Sequence, residues 1–219
     1  MVGKVTKLKA SNKAKANDAD NGSARDQLLE AAGQIMREGD TINLSLSELS
    51  MRSGLNSALV KYYFGNKQGL MLALLERDMR FAVEEITDLV GRDMSPEKKL
   101  RYHLAGVIDT YYRYPYLNRL LMRMIRDCPP TDAANIADQY LKPISRAYAK
   151  LVKEGVSQGV FRDVDPQNLY FSITGSADRF FNARLVLRHC YDIDDVTEKM
   201  RDDYRQHTID LIMAGILVH

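Results

Sequence analysis

Cysteine is scarce in this sequence. Cys128 and Cys190 are its only two, far apart and without the Cys-x-x-Cys spacing of a redox or zinc motif. Neither a disulfide framework nor a cysteine-built zinc site is available, which suits a reducing, cytoplasmic setting. No apolar run reaches bilayer-spanning length: Leu211 to Val218 is too short. No apolar core of signal-peptide length follows the basic start. Charge of one sign is lacking too, since 31 Lys and Arg against 29 Asp and Glu leave a formal +2. Any nucleic-acid contact must therefore come from local clustering. Catalytic signatures are also missing, with no Walker loop, GxGxxG, HExxH or GxSxG pattern.

A metal reading of His189-Cys190 with Asp192, Asp194 and Asp195 lacks a second ligand pair at a coordinating spacing. The acids read more naturally as caps of the last helix. His103 and His207 each lack an evident nucleophile or carboxylate partner. The expectation is a protein that is not an enzyme and needs neither a metal nor a cofactor.

What is present is an ordinary apolar share, 45% of 219 residues, enough to bury a sizeable core. The small positive excess sits in the first third, where Lys4, Lys7, Lys9, Lys13 and Lys15 crowd among Asn, Ala, Asp, Gly and Ser. That composition cannot bury apolar surface and is expected to be disordered when free. Residues 1–22 read either as a solubilising tail or as an arm that meets phosphates when something behind it docks on DNA.

Beyond Asn21 the chain reads as helix almost throughout. Ser23 with Asp26 resembles a capping box ahead of Leu28, Leu29, Ala32, Ile35 and Met36 at helical spacing, and Gly39 ends that helix. Ser45 with Glu48 opens a short helix from Leu46 to Ser53, and Gly54 is placed to close it. Asn56 can cap a second short helix carrying Leu59, Val60 and Tyr63. Phe64-Gly65-Asn66 breaks that one, and Asn66 can cap a long helix from Lys67 to about Gly91. Ser95-Pro96 and Asp165-Pro166 look like N-caps followed by proline at the first helical position. Helices are expected near 96–113, 116–127, 132–158, 166–188 and 194–216. No segment alternates like a strand, and no internal repeat occurs, so the fold class is all-α with about nine helices.

Two short helices joined by a glycine turn form the helix-turn-helix pattern. Leu49, Leu55 and Val60 supply its small core, with Leu28 and Leu29 behind. Asn56, Ser57, Lys61 and Tyr62 present polar groups outward. On these residues the stretch Leu46 to Leu70 resembles the TetR/AcrR family of bacterial one-component transcription regulators. The family pattern has Ile-Ala, Ala-Gly-Val-Ser, Leu-Tyr-x-His-Phe and then a lysine. This chain answers with Leu49-Ser50, Ser53-Gly54-Leu55-Asn56, Val60-Lys61-Tyr62-Tyr63-Phe64 and Lys67. Ser50 and Ser53 replace alanines, Lys61 a tyrosine, and Tyr63 a histidine.

The resemblance implies a three-helix DNA-reading head over 23–75 and a larger ligand-binding and dimerisation domain over 76–219. Position by position, it puts Ser45 and Ser47 on phosphates or a base edge. Asn56, Ser57 and Ala58 would face the major-groove floor, and Lys61, Tyr62, Tyr63 and Lys67 would grip the backbone. The implied partners are a palindromic double-stranded DNA operator, a second copy of the chain, and a small apolar or amphipathic effector that releases a repressor. No membrane partner is implied. An architectural DNA-coating protein without effector sensing is the alternative.

Two apolar stripes on helix 166–188 and on helix 194–216 point to one face in the core and one on a partner. Phe171, Phe181, Tyr204 and Leu211 are the expected interface residues. In the resemblance the last two helices form the dimer interface. The effector pocket is expected among helices from 67 to 188, with Tyr102, His103, Tyr111, Tyr112, Met122 and Phe180 as lining residues, although side chains of this kind at helical spacing also serve as plain core.

Overall fold

The computed structural model describes residues 23–218. The basic arm expected at 1–22 lies outside them. The described residues fall into two compact units divided between Leu74 and Leu75.

In the first unit, α1 spans 23–38 and α2 Leu46–Ser53. Helix α3 spans Ala58–Phe64, and α4, Lys67–Leu89, begins here. Leu28, Leu29, Ala32, Ile35 and Met36 of α1 are buried with Leu44, Leu49, Val60 and Leu70. Their spacing of three, four and seven along α1 puts one stripe inward, as an amphipathic helix requires. Arg52 of α2 pairs with Glu38 at the end of α1, Nη2 to Oε2 2.6 Å.

The second unit holds α5 (Pro96–Arg113), α6 (Leu117–Asp127), α7 (Pro130–Ile136), α8 (Lys142–Ser157), α9 (Pro166–Phe181), α10 (Arg184–Tyr191) and α11 (Glu198–Ile216). Its main core joins Ile86 of α4 to Leu100 and Leu104 of α5, Tyr148 and Leu151 of α8, Ile173 of α9 and Met213 of α11. Ser95 caps α5 by accepting from the Lys98 N–H, with Pro96 in the first turn. Asp165 caps α9 by accepting from both Gln167 and Asn168. Both follow the expected pattern of a cap followed by proline. Buried Lys99 is neutralised by both carboxylate oxygens of Glu154 at 2.9 Å and donates to the Val90 carbonyl at 3.4 Å. Arg205 of α11 reaches Asp109 of α5 at 3.0 Å.

Three boundaries differ from the sequence expectation. The helix foreseen at 132–158 starts at Pro130 and contains a π-helical turn, Ala137–Leu141, between α7 and α8. Pro143 has no N–H to offer the Gln139 carbonyl, and its ring crowds the preceding turn, which accounts for the widening. The helix foreseen at 166–188 is two helices. Asn182 binds Asp178 Oδ1 through its side-chain amide at 2.5 Å, and the Ala183 N–H closes a tight turn onto the Phe180 carbonyl. Ala183 itself leaves helical geometry at φ −91°, ψ 23°. The last helix starts at Glu198 rather than 194, capped by Thr197, whose Oγ1 accepts from the Met200 N–H at 3.2 Å. Asp194 and Asp195, expected as caps, instead pair with Arg188 and Arg184. Among the described residues the β-type pairing is a lone bridge between Phe161 and Leu217.

Candidate DNA-reading surface and effector cavity

In the first unit, Ser45 has an extended backbone and caps α2 by accepting from the Glu48 N–H, and its Oγ lies 2.8 Å from Ser47 Oγ. Gly54 closes α2 at φ +69°, a conformation that side-chain-bearing residues rarely adopt, and donates to the Ser50 carbonyl at 3.0 Å. Three residues later the chain is helical again. Asn56 Oδ1 accepts from the Ala58 N–H at 2.8 Å, which starts α3. Val60 points into the core, while Ala58, Lys61 and Tyr62 are exposed and Ser57 and Tyr63 half-buried. The Tyr62 and Tyr63 rings meet edge-on at 4.8 Å. Asn66 caps α4 by accepting from the Gly69 N–H, leaving Lys67 in the first turn of that helix.

The first unit thus carries Ser45, Ser47, Asn56, Ala58, Lys61 and Tyr62 at its surface. It presents hydroxyl, amide, cationic and aromatic groups on two short helices, the chemistry that groove reading and phosphate contact require. Ser53 Oγ donates to the Leu49 carbonyl at 2.7 Å and accepts from the Leu55 N–H at 3.2 Å. The buried Ser50 hydroxyl has no hydrogen-bond partner among the described residues.

The second unit encloses a cavity with about 80 Å³ of free volume, walled by α4, α5, α6, α8, α9 and Leu141 of the π turn. One water needs roughly 10–15 Å³ of such volume, so a small organic molecule fits. Met79, Ala82, Glu85 and Ile86 line one side, and His103, Gly106, Val107, Thr110 and Tyr111 another. Tyr148, Tyr170 and Thr174 complete it with Asn118 and its neighbours. His103 Nε2 and the Tyr148 hydroxyl are 2.7 Å apart. Burial pushes the His103 imidazole down to about 4, so it is neutral at physiological pH. Burial, followed by the nearby Asp178 carboxylate, raises the Tyr111 phenol. Burial likewise raises Tyr148 and Tyr170.

Of the six expected lining residues, His103 and Tyr111 line this cavity. Four do not. Tyr102 and Tyr112 are one position away from His103 and Tyr111, and one residue turns a helix by about 100°. Tyr102 is exposed under the Arg92 guanidinium, whereas Tyr112 packs on Phe181 beneath Arg201. Met122 is exposed on α6. Phe180 stacks on Tyr204 at 3.8 Å, by a shallow groove bordered by α10 and α11. Sequence reasoning missed Glu85, Tyr148 and Tyr170. The first had a signal: an acid sharing the helical face of Met79, Ala82 and Ile86.

The residues expected at a partner interface also divide. Phe171 and Leu211 are exposed. Tyr204 is held within the second unit, donating its hydroxyl to the Ser176 carbonyl at 2.9 Å. Phe181 is buried against Ile108 and Ala177, not outward-facing, because it continues the Leu169-Ile173-Ala177 stripe at a spacing of four.

A capped pair of short helices joined by a left-handed glycine, with polar groups outward, defines a helix-turn-helix protein of the DNA-binding regulator class. Residues 93–219 match the tetracyclin repressor-like C-terminal domain. The chain belongs to the TetR/AcrR family of transcription regulators. The HTH-type transcriptional repressor NicS of Pseudomonas putida is 23% identical, over 92% of this chain and 95% of that one. The HTH-type transcriptional regulator BetI of Agrobacterium fabrum is 24% identical over 52% of this chain and 69% of its own length. A transcriptional regulator from Saccharomonospora viridis, solved with choline, superposes with a TM-score of 0.65 at 18% identity, covering 90% of this chain and all of that one. At that identity the structural likeness is one of fold. These relatives are regulators, and the chain is not an enzyme. Among the described residues no helix is long and apolar enough to cross a membrane.

Proposed function

We propose that this chain is a cytoplasmic, homodimeric repressor that reads a palindromic operator through residues 23–75 and is released by a small molecule bound within residues 76–219. The observation that carries the sensing half is the cavity, lined by polar atoms as well as apolar walls. The choline complex of the Saccharomonospora viridis neighbour supports the same fold serving as a ligand holder. Ser45, Ser47, Asn56, Ser57, Ala58, Lys61, Tyr62, Tyr63 and Lys67 are the proposed DNA contacts.

A single helix-turn-helix reads only a few base pairs, whereas two held about one helical turn apart read a palindrome. Exposed Phe171 and Leu211 support pairing through α9 and α11. An effector then needs only to favour a dimer state whose two heads are wrongly spaced, since a ligand shifts a conformational equilibrium by its difference in affinity for the two states.

The test is selection of genomic DNA fragments by the purified protein at near-physiological salt, where nonspecific binding is weak. Recovery of a few palindromic sites is the expected result. A featureless spread would instead favour a DNA-coating protein that senses nothing.

A further inference from the structure

We propose that the cavity of the second unit is a site for a small organic cation, held by the Glu85 carboxylate beside the His103 and Tyr170 rings. This deepens the effector reading above and rests on it. Glu85 lines the cavity and, among the described residues, makes no hydrogen bond or ion pair. Among the described residues no lysine or arginine lines the cavity. A second carboxylate, Asp178, lies just behind the wall: Asn118, a lining residue, donates to its Oδ2 at 3.0 Å, and Asn182 holds its other oxygen. Both donors are neutral amides. The lining therefore carries one carboxylate and no cationic side chain, so a cation entering it gains what an anion would lose.

The aromatic walls suit the same ligand. The His103 ring meets Tyr148 edge-on at 5.1 Å and 83°, and Tyr148 meets Tyr170 at 5.4 Å and 88°. The buried Tyr148 ring thus fixes His103 and Tyr170, the two partly exposed rings it touches, at the cavity wall. Ring faces are negative and attract ammonium groups, quaternary ones above all, because those have no N–H to satisfy. The neutral His103 adds no opposing charge.

Glu85 also stands at the way in. It borders an outer groove between α4 and α5 as well as the cavity, and Ala82, Gly106 and Thr110 are shared by both. A Cβ at Gly106 would sit 3.3 Å from Glu85 Oε2, so the missing side chain lets the carboxylate lie close against α5. Glu85, with Asp78 and Asp109, lines the groove beside Arg77 and Arg113, and of these charged residues it alone also lines the cavity.

Isothermal titration of the full chain with choline chloride, tetramethylammonium chloride, 3,3-dimethyl-1-butanol and sodium butyrate, at matched ionic strength, tests this. Choline is expected to bind about tenfold or more tightly than the alcohol, its uncharged isostere, and butyrate not to bind. In Glu85→Gln the choline preference over the alcohol collapses. Equal binding of choline and the alcohol by the wild type, an unchanged preference in Glu85→Gln, or no binding of either cation overturns the assignment. The wild-type comparison needs no variant to fold. Gel-shift assays with the same probes separate this inference from the repressor reading. Release of DNA by the alcohol or butyrate alone overturns the cation site and leaves the effector reading standing. Choline binding that depends on Glu85 but leaves DNA affinity unchanged supports the site and overturns effector release.

Discussion

Tyr116 donates its hydroxyl proton to Asp78 Oδ2 at 2.7 Å, with both side chains excluded from solvent. The other carboxylate oxygen accepts from Arg77 Nε at 2.7 Å. Asp78 belongs to α4, and Tyr116 stands at the start of α6, so the bond ties together two helices that wall the cavity. Hydrogen bonds to a charged group contribute about 1.5–3 kcal/mol, and the loss is felt in full where water cannot enter. Tyr116→Phe is expected to lower stability by about that amount. Urea unfolding checks it, and the midpoint should fall while the slope holds. The variant is also expected to narrow the ratio of DNA affinities measured with and without effector. A full response to effector would show that this bond does not transmit occupancy.

Lys61 is exposed on α3 and has no ion-pair partner among the described residues. A lysine free to neutralise one phosphate contributes about 0.9 to the slope of log affinity against log salt. Lys61→Ala should flatten that slope by about this much and weaken specific and random DNA alike. Binding measured across a salt series decides it. An unchanged slope would remove Lys61 from the phosphate contacts.

The head was legible because its signals are local. A serine three residues before a glutamate and a glycine just past the last helical turn each act over one turn of chain; Ser45 and Gly54 do what their spacing implies, while Glu48 contributes its N–H to the cap and not its carboxylate. The second unit was less legible, since its errors depend on neighbours distant in sequence. Phe180 and Phe181 lie three and four residues beyond Ala177, and both spacings can continue a helical stripe, so periodicity alone does not choose which one is buried against Ile108. Tyr111 and Tyr112 divide in the same way between the cavity and Phe181. The break comes at Ala183, which leaves helical geometry and turns its N–H to the Phe180 carbonyl, and the apolar pattern running through it concealed this. Glu85 was overlooked because an acid on an apolar helical face reads as a solvated residue until four other helices enclose it.

His103 gives the fold a defined sensitivity to acid. Its unfolded value is the ordinary 6.5, and burial lowers it to about 4 in the fold. Between those values the unfolded chain carries more protons, so falling pH favours unfolding. The penalty is absent above about pH 7, grows below 6.5 and is complete near 4. It amounts to roughly 3 kcal/mol at most, less where cavity water screens the ring. His103→Gln keeps an oxygen able to accept from the Tyr148 hydroxyl but does not titrate. Thermal unfolding at pH 7 and pH 4.5 should show a smaller drop in the variant than in the wild type. An equal drop would mean that other groups carry the acid sensitivity.

Ser50 and Ser53 stand where the family pattern this stretch resembles has alanine, and the structure treats them differently. The Ser53 hydroxyl both donates, to the Leu49 carbonyl, and accepts, from the Leu55 N–H, bracing the turn at Gly54. The Ser50 hydroxyl is buried with no partner among the described residues. A buried hydroxyl without a bond has given up water for nothing, and alanine is also the better helix former by a few tenths of a kcal/mol. Ser50→Ala is therefore expected to stabilise the head by about 0.5–1 kcal/mol, and Ser53→Ala to destabilise it by about as much. Chemical denaturation of the two variants side by side reads the difference directly. If both lose stability equally, the Ser50 hydroxyl contributes an interaction as strong as those of Ser53. Opposite signs would show that two identical substitutions, three residues apart on one helix, differ only in whether the hydroxyl finds a partner.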